Sequence, residues 1–286
     1  MAKPFVFRND DLNGLALDLP SVLWEARAPS TNKAYGNALD RWKQWTKNYS
    51  EVSALPANPK HIVLYMLFLA RSASTVSVIN LALCSIAWSH KLAGLPSPTE
   101  DILVVETLNG LKRKLAKPAL QKEPFSLNDI EKIINCVDNY SLKDFRNSTI
   151  IILGFYAFLR VNEVRNLKGS NIVVHSAHLE INVVQSKCDQ LRQGSTVVVA
   201  KLGGVNCPVG FFLRYLSKAN IILEDNKFLF RRLCAYKDGF QLAKTDVAIS
   251  YNQIREAVKA KASQIGLDER NYSTHSMRAG GRNSRG

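Results

Sequence analysis

The chain of 286 residues is short of acidic side chains. It has 24 Asp and Glu against 38 Lys and Arg, which gives a formal net charge of +14 at pH 7. Such an excess repels itself unless a polyanion offsets it, so nucleic acid is the first partner to consider. Two alternatives stay open at this point: a charge that only keeps the protein soluble, and binding to an anionic membrane.

Paired cysteines and long apolar runs are also missing. The five cysteines include no Cys-x-x-Cys pair that would indicate zinc or a redox couple. The N-terminus, MAKPFVFRNDDLNG, carries charges where a secretory signal has an apolar run. The longest apolar stretches, 62–70 and 150–159, fall short of the roughly 20 residues that cross a bilayer. We therefore expect an intracellular protein with reduced thiols and no membrane partner.

Two further kinds of site lack their usual motifs. No cluster of carboxylates has the spacing that holds Mg²⁺, and no aromatic and glycine-rich RNA-binding motif is present. We therefore predict no metal site and no small-molecule cofactor. An RNA-binding or purely structural helical protein has little support.

Helical periodicity fills the first 115 residues. Apolar and aromatic side chains recur at intervals of three and four from Tyr35 to Tyr49, and again in three later segments. Asn58 followed by Pro59 is a typical start for the second helix. Four such helices with no strand pattern between them predict a small all-α domain over residues 21–115, preceded by a polar arm over residues 1–20.

A basic segment, KRKLAKPALQK, follows the fourth helix. Lys112, Arg113, Lys114 and Lys117 are candidate DNA-binding residues, because a run of cations without an acidic neighbour suits a phosphate backbone. Pro118 cannot continue the helix, so the chain is expected to cross between domains at residues 116–123. The alternative is a solvated linker that is basic by chance.

The remaining residues, 124–286, predict a second domain of mixed structure. Ser126 and Asp129 form a Ser-x-x-Asp helix start, and residues 148–159 are a strongly apolar helix. Then the period changes to two, which predicts a β-hairpin over residues 179–183 and 195–199 with a short strand at 172–174 beside it. Helical patterns return at 208–216 and 251–262. The fold class predicted is mainly α with a small antiparallel β-sheet.

Three fragments of this second domain carry reactive side chains: LRVNEVRNLK around Arg160, QSKCDQLRQG around Lys187, and STHSMR with His275 and Arg278. Each alone is common in proteins for ordinary structural reasons, as a solvated helix end, an edge lysine or a structural histidine.

Together these side chains suit phosphodiester exchange. Arginines stay charged and bind oxygens in pairs, so Arg160 and Arg278 would stabilise the negative charge that builds on a phosphate. Lys187 would donate a proton to the departing sugar hydroxyl. His275 lies one helical turn from Arg278, so both can reach one phosphate. Glu163 has the same relation to Arg160, and it would hold the arginine or the histidine in place.

In this order and spacing the fragments resemble the tyrosine recombinase, or phage-type integrase, family, over about residues 25–281. The resemblance implies an N-terminal all-α core-binding (SAM-like) domain and a mixed α/β catalytic domain that acts through Arg160, Glu163, Lys187, His275 and Arg278. It implies double-stranded DNA as the partner, a tetramer on DNA, and DNA recombination or integration through a 3′-phosphotyrosine intermediate. HSMRAGG is most similar to members carried by eukaryotic mobile elements, which implies the nucleus if the source is eukaryotic.

The sequence departs from the family after Gly281. There the family continues into a further His or Trp and the tyrosine nucleophile, whereas this chain reads RNSRG, and Tyr272 precedes His275 rather than following it. The expectation is a C-terminally truncated chain that binds DNA and orients a phosphate but does not cleave by itself. The alternative is a non-catalytic DNA-binding regulator or domesticated remnant.

Overall fold

The computed structural model describes residues 8–118, 121–184, 194–237 and 239–283, with Asn283 described by its backbone alone. The chain separates into two compact units, Met1–Ala119 and Leu120–Gly286. No helix of the described residues is both long enough and apolar enough to span a membrane.

The first unit is entirely helical in its described part. Its core is aromatic: Trp42 stacks on Trp45 with ring centroids 5.5 Å apart, and both contact Tyr65. The Asn58 side chain accepts a hydrogen bond from the Lys60 backbone N at 2.9 Å, which confirms the predicted helix start. The helices are α1 (Asp10–Glu25), α2 (Pro29–Thr46), α3 (Pro59–Ala70), α4 (Ser77–Leu92) and α5 (Ile102–Lys114).

Helix α1 differs from the arm expected over residues 1–20. The Asn9 side chain accepts from the backbone N of Asp11 at 2.8 Å and of Leu12 at 3.2 Å, and Asp10 and Asp11 favour the positive end of the helix dipole. None of its residues is buried. The start of this helix is therefore favoured by its N-cap and by its acidic first turn. The sequence prediction relied on buried apolar periodicity, which does not detect these signals.

The second unit packs helices around a small sheet. Its described elements, in chain order, are α6 (Leu127–Asn135), α7 (Leu142–Tyr156), α8 (Val161–Arg165), β1 (Ile172–Val174), β2 (His178–Val183), β3 (Ser195–Ala200), α9 (Pro208–Lys218), β4 (Leu233–Tyr236), β5 (Gly239–Leu242), α10 (Tyr251–Gln264) and α11 (Thr274–Asn283). Helix α7 is the centre of this unit, since every residue from Ser148 to Phe155 is buried. The unit therefore forms around one apolar helix that the sequence predicts.

Helix caps set where α6 and α7 begin. Ser126 and Asp129 form the predicted capping box, in which the Ser126 Oγ and backbone N both donate to Asp129 Oδ2. Ser141 caps α7 by accepting from the Asp144 backbone N at 3.2 Å, so the helix starts earlier than the predicted 148.

The three-stranded sheet has the order β1-β2-β3 and is antiparallel throughout. Burial along β2 alternates, with Leu179, Ile181 and Val183 buried, which confirms the predicted period of two. A second antiparallel pair, β4 with β5, is absent from the sequence prediction. The fold class, mainly α with a small antiparallel sheet, is confirmed.

Candidate functional site

Arg160 lies just beyond the end of α7. Phe158 takes a φ of 53°, in the left-handed region that favours glycine, which costs about 1 kcal/mol. This turn leads the chain through buried Leu159 to Arg160, which is the N-cap residue of α8. The strained backbone at Phe158 thus sets where the Cα atom of Arg160 lies.

The Glu163 carboxylate lies between two arginines. Its Oε2 accepts from the Arg160 backbone N at 2.7 Å, and its Oε1 accepts from Arg160 Nη1 at 2.9 Å. Arg278 Nη1 lies 3.7 Å from Oε2, an ion pair longer than a hydrogen bond. The Glu163 side chain is 7% exposed, whereas those of Arg160 and Arg278 are 31% and 30% exposed. One buried carboxylate therefore holds two guanidinium groups that remain open to solvent.

Helix α11 carries His275 and Arg278 and has almost no space behind it. A Cβ added at Gly280 would fall inside the van der Waals radius of the Phe125 carbonyl oxygen, and one at Gly281 would meet that of Phe155 in the same way. The Phe125 backbone N also donates to the Ser276 carbonyl at 3.1 Å. The two glycines allow α11 to lie directly on the backbone of its neighbours, which places Arg278 beside Glu163.

His275 lies in the first turn of α11 and is exposed. The hydroxyl of Tyr251, at the start of α10, is 3.3 Å from the hydroxyl of neighbouring Thr274. The sequence prediction did not include Tyr251, because a partly exposed tyrosine at a helix start carries no distinctive pattern.

Tyr272 is buried and held in place. Its hydroxyl donates to Glu123 Oε2 at 3.2 Å, and its ring stacks on Phe125 with centroids 4.8 Å apart. Burial, followed by the hydrogen bond and charge of Glu123, raises the pKa of Tyr272 to about 12. A phenol that is buried and difficult to ionise is a poor nucleophile, so Tyr272 serves packing in this arrangement.

The other predicted site residues fall in two places. Lys187 lies outside the described residues, in the segment that follows β2 and precedes β3. Lys112, Arg113 and Lys114 form the last turn of α5, Lys117 follows it, and all four are exposed. Cations in a last turn also stabilise the helix dipole.

The arginine pair is chemically suited to an anion. The two guanidinium groups beside one carboxylate can donate several hydrogen bonds to phosphate oxygens. Glu163 hydrogen-bonds the Arg160 side chain and lies within ion-pair distance of Arg278, so less reorganisation is needed when an anion binds than for two arginines without such a partner. The sequence predicts Arg160, Glu163 and Arg278 as site residues, and the fold brings these three together.

Known proteins similar to this chain point to one group. No family model matches the chain. The integrase/recombinase XerD homolog of Selenomonas ruminantium is 25% identical over 272 residues, which cover 93% of this chain and 76% of that protein. The Cre recombinase of Escherichia phage P1 is 20% identical over 205 residues, covering 67% of this chain and 56% of Cre.

The fold has a counterpart among solved structures. A crystal structure of the XerH site-specific recombinase bound to its palindromic difH substrate has a TM-score of 0.54 at 12% identity, over 87% of this chain and 67% of that one. At this identity the likeness bears on the fold alone, and the alignment to the XerD homolog extends it to the sequence along nearly the whole chain. The similarities in sequence and in fold indicate the tyrosine recombinase family.

Proposed function

We propose that this chain is a DNA-binding protein of recombination or integration. It resembles a tyrosine recombinase, which breaks and rejoins double-stranded DNA through a 3′-phosphotyrosine intermediate, and it would orient the scissile phosphate for a tyrosine that none of its assigned site residues supplies. One observation carries the proposal: Glu163 lies between the guanidinium groups of Arg160 and Arg278, with both groups about 30% exposed. The names of the relatives, a recombinase and an integrase, support the same activity.

In this proposal the scissile phosphate binds between Arg160 and Arg278. Negative charge grows on its non-bridging oxygens as a tyrosine hydroxyl, supplied by none of the assigned site residues, attacks the phosphorus and the sugar oxygen leaves. Fixed guanidinium groups stabilise that charge more in the transition state than in the ground state. Glu163 is a positioning residue, because it touches the arginines and is itself buried. The two arginines supply the charge that Mg²⁺ supplies in other phosphoryl-transfer sites.

Proton transfer is assigned to two further residues. Exposed His275 lies one turn before Arg278 on α11, so its imidazole can reach the same phosphate. Lys187 would protonate the departing sugar hydroxyl. This lysine belongs to the segment between β2 and β3.

The basic run at the end of α5 is assigned to the DNA backbone. Lys112, Arg113, Lys114 and Lys117 are all exposed, as contacts to phosphates require. Such contacts add affinity without reading sequence. Assembly into a tetramer on paired sites, and action in the nucleus of a eukaryotic source, are further parts of this proposal.

The test has two stages. The full chain is first used to select its preferred duplex from a random library. The selected duplex is then nicked near its centre, and covalent protein–DNA adducts are sought after denaturation. An adduct that disappears in Arg160→Ala and in Arg278→Ala, while binding falls by less than about 10-fold, supports the enzyme. An adduct that survives both substitutions overturns the assignment of the arginines.

A second candidate is a DNA-binding protein without strand cleavage. The observation in its favour is Tyr272, the tyrosine next to the site in sequence, which is buried and has a pKa raised to about 12. Selective, salt-sensitive binding with no adduct would support this candidate over the enzyme. A chain that binds no duplex DNA would exclude both.

A further inference from the structure

The turn between β1 and β2 brings three ligand-type side chains together. The His175 backbone N donates to the His178 carbonyl at 2.9 Å, so these two residues face each other across a turn of only two residues. Glu180 follows His178 by two positions on β2, so both side chains project to the same face of the sheet. Leu179 and Ile181 project to the opposite face and are buried in the core. The strand pattern therefore fixes which side chains meet.

The distances suit coordination of a metal ion. Candidate ligand atoms of His175, His178 and Glu180 all lie within 4.8 Å of one another. His175 Nε2 is 3.4 Å from Glu180 Oε2, and two ligand atoms bound to one tetrahedral zinc ion are about 3.4 Å apart. The two imidazole rings are stacked, with centroids 4.3 Å apart and an interplanar angle of 20°. The three side chains are therefore close enough together to bind one ion.

A second layer of hydrogen bonds orients the carboxylate. Glu180 Oε1 accepts from Asn182 Nδ2 at 3.3 Å, and Asn182 Oδ1 accepts from the Thr196 hydroxyl at 2.8 Å. Thr196 pairs with Asn182 across β2 and β3, so the support comes from the sheet itself. Ligating carboxylates in metal sites are held by outer partners of this kind, which leave the other oxygen for the ion.

A surface ion pair alone accounts poorly for the cluster. The side chains of His175 and Glu180 are 41% and 30% exposed, and pairs this open to solvent contribute little to stability. The same exposure gives an ion a path from solvent. Three ligand-type residues at one turn, with a supporting amide on β2, are more than an ion pair needs.

We propose that His175, His178 and Glu180 bind one divalent transition-metal ion, with Zn²⁺ as the reference ion. Two imidazoles and one carboxylate are donors that suit zinc, nickel, copper and cobalt better than Mg²⁺ or Ca²⁺. Three protein ligands leave a fourth position for water. The ion would link the residue that follows β1 to two residues of β2. The proposal departs from the expectation of no metal site, which weighed carboxylate spacing and Cys-x-x-Cys pairs but not a histidine pair across a turn.

The test is a zinc titration of the full chain after treatment with a chelator. ZnCl₂ is added in competition with a chromophoric zinc indicator, and the proposal expects one equivalent bound at micromolar or tighter affinity. Asn182→Ala, which removes only the outer support, should weaken binding by about 10-fold. His175→Ala/His178→Ala and the isosteric Glu180→Gln should weaken it further.

Controls separate this site from other zinc ligands of the chain. Cys84→Ser removes an exposed thiol, and Glu224→Gln removes an exposed carboxylate of the unit that holds the proposed site. Both variants should bind zinc as the wild type does. Cobalt bound in place of zinc should give a spectrum without thiolate charge-transfer absorption. Absence of a tight equivalent, a thiolate spectrum, or unchanged affinity in His175→Ala/His178→Ala would each overturn the proposal, whatever the DNA experiments show.

Discussion

Helices α5 and α11 are both basic, but α11 is packed tightly at its glycines and α5 is open to solvent at Gly110. In α5, a Cβ added at Gly110 meets nothing within 4 Å, and the cations that follow are all exposed. In α11, Gly280 and Gly281 lie against the backbone of neighbouring segments, and Arg278 is paired with a buried carboxylate. The two helices have similar charge and very different constraint. The difference teaches that affinity for a polyanion needs only exposed charge, whereas catalysis at one phosphate needs charge that is fixed beforehand.

The largest effect expected is from a methyl group behind α11. Gly281→Ala places a Cβ against the Phe155 carbonyl oxygen, so the helix must move away, and we expect a loss of about 3 kcal/mol in the free energy of unfolding. The matched control is Gly110→Ala in α5, where open space and helix propensity predict a gain of about 0.5–1 kcal/mol. Urea unfolding followed by circular dichroism measures both. Equal midpoints for the two variants would remove the contrast between the helices.

Substitutions of Glu163 test how strongly this carboxylate holds the two arginines. Glu163→Ala leaves the Arg160 backbone N and guanidinium group without this acceptor and Arg278 without its ion pair. We expect it to cost roughly 2–3 kcal/mol. Glu163→Gln keeps one acceptor oxygen and should cost about 1 kcal/mol less. The same unfolding measurement applies. If Glu163→Ala and Glu163→Gln lower the free energy of unfolding equally, the carboxylate does not hold the two arginines in place.

Tyr272, which precedes α11, gives the constraint a pH dependence. Its pKa is raised to about 12 in the folded protein from an ordinary value of 10.0, so the fold favours the protonated phenol. This stabilisation is complete below about pH 10 and is lost as the pH rises from there through about 12, by at most roughly 2–3 kcal/mol. Unfolding free energies at several alkaline pH values should therefore fall less in Tyr272→Phe than in the wild type. A parallel fall in both would exclude Tyr272 as the source.

The smallest effect per residue is expected from the basic run. Lys112→Gln, Arg113→Gln and Lys117→Gln together should make the slope of log K against log salt less negative, by up to about 0.9 for each phosphate that is no longer neutralised. Glu106→Gln, an exposed charge change on the same helix, removes no cation and should leave the slope as it is. Fluorescence anisotropy with a labelled duplex measures the slopes. An unchanged slope in the triple variant would move the DNA-binding surface away from α5.

Elements with a strong local pattern were predictable, and elements without one were not. The alternation at Leu179, Ile181 and Val183 predicted β2, because one face of that strand is buried. Strands β4 and β5 have no alternation: Tyr236 and Phe240 are each 47% exposed, and the two strands hold each other mainly by backbone pairing. Apolar periodicity in a sequence reflects the burial of one face of an element. A hairpin that buries few side chains therefore gives no such signal.

The candidate site was predictable in its members and not in its geometry. The types and spacing of Arg160, Glu163 and Arg278 pointed to one phosphate site. That Glu163 pairs with both arginines depends on how α11 packs near α8, an arrangement of segments far apart in the chain. The unusual φ of Phe158 was equally hidden, because a sequence position that favours glycine is occupied here by an aromatic residue.

The shared carboxylate also has a consequence for how this site can change over time. Arg160 and Arg278 belong to distant segments, yet each is partnered by the same group. Replacing either arginine alters the balance of charge felt by the other, so the free-energy effects of the two replacements should not add. The three residues are therefore expected to act as one unit. Loss of one of the three residues removes much of the reason to keep the other two. We therefore expect related proteins to retain all three residues or none of them.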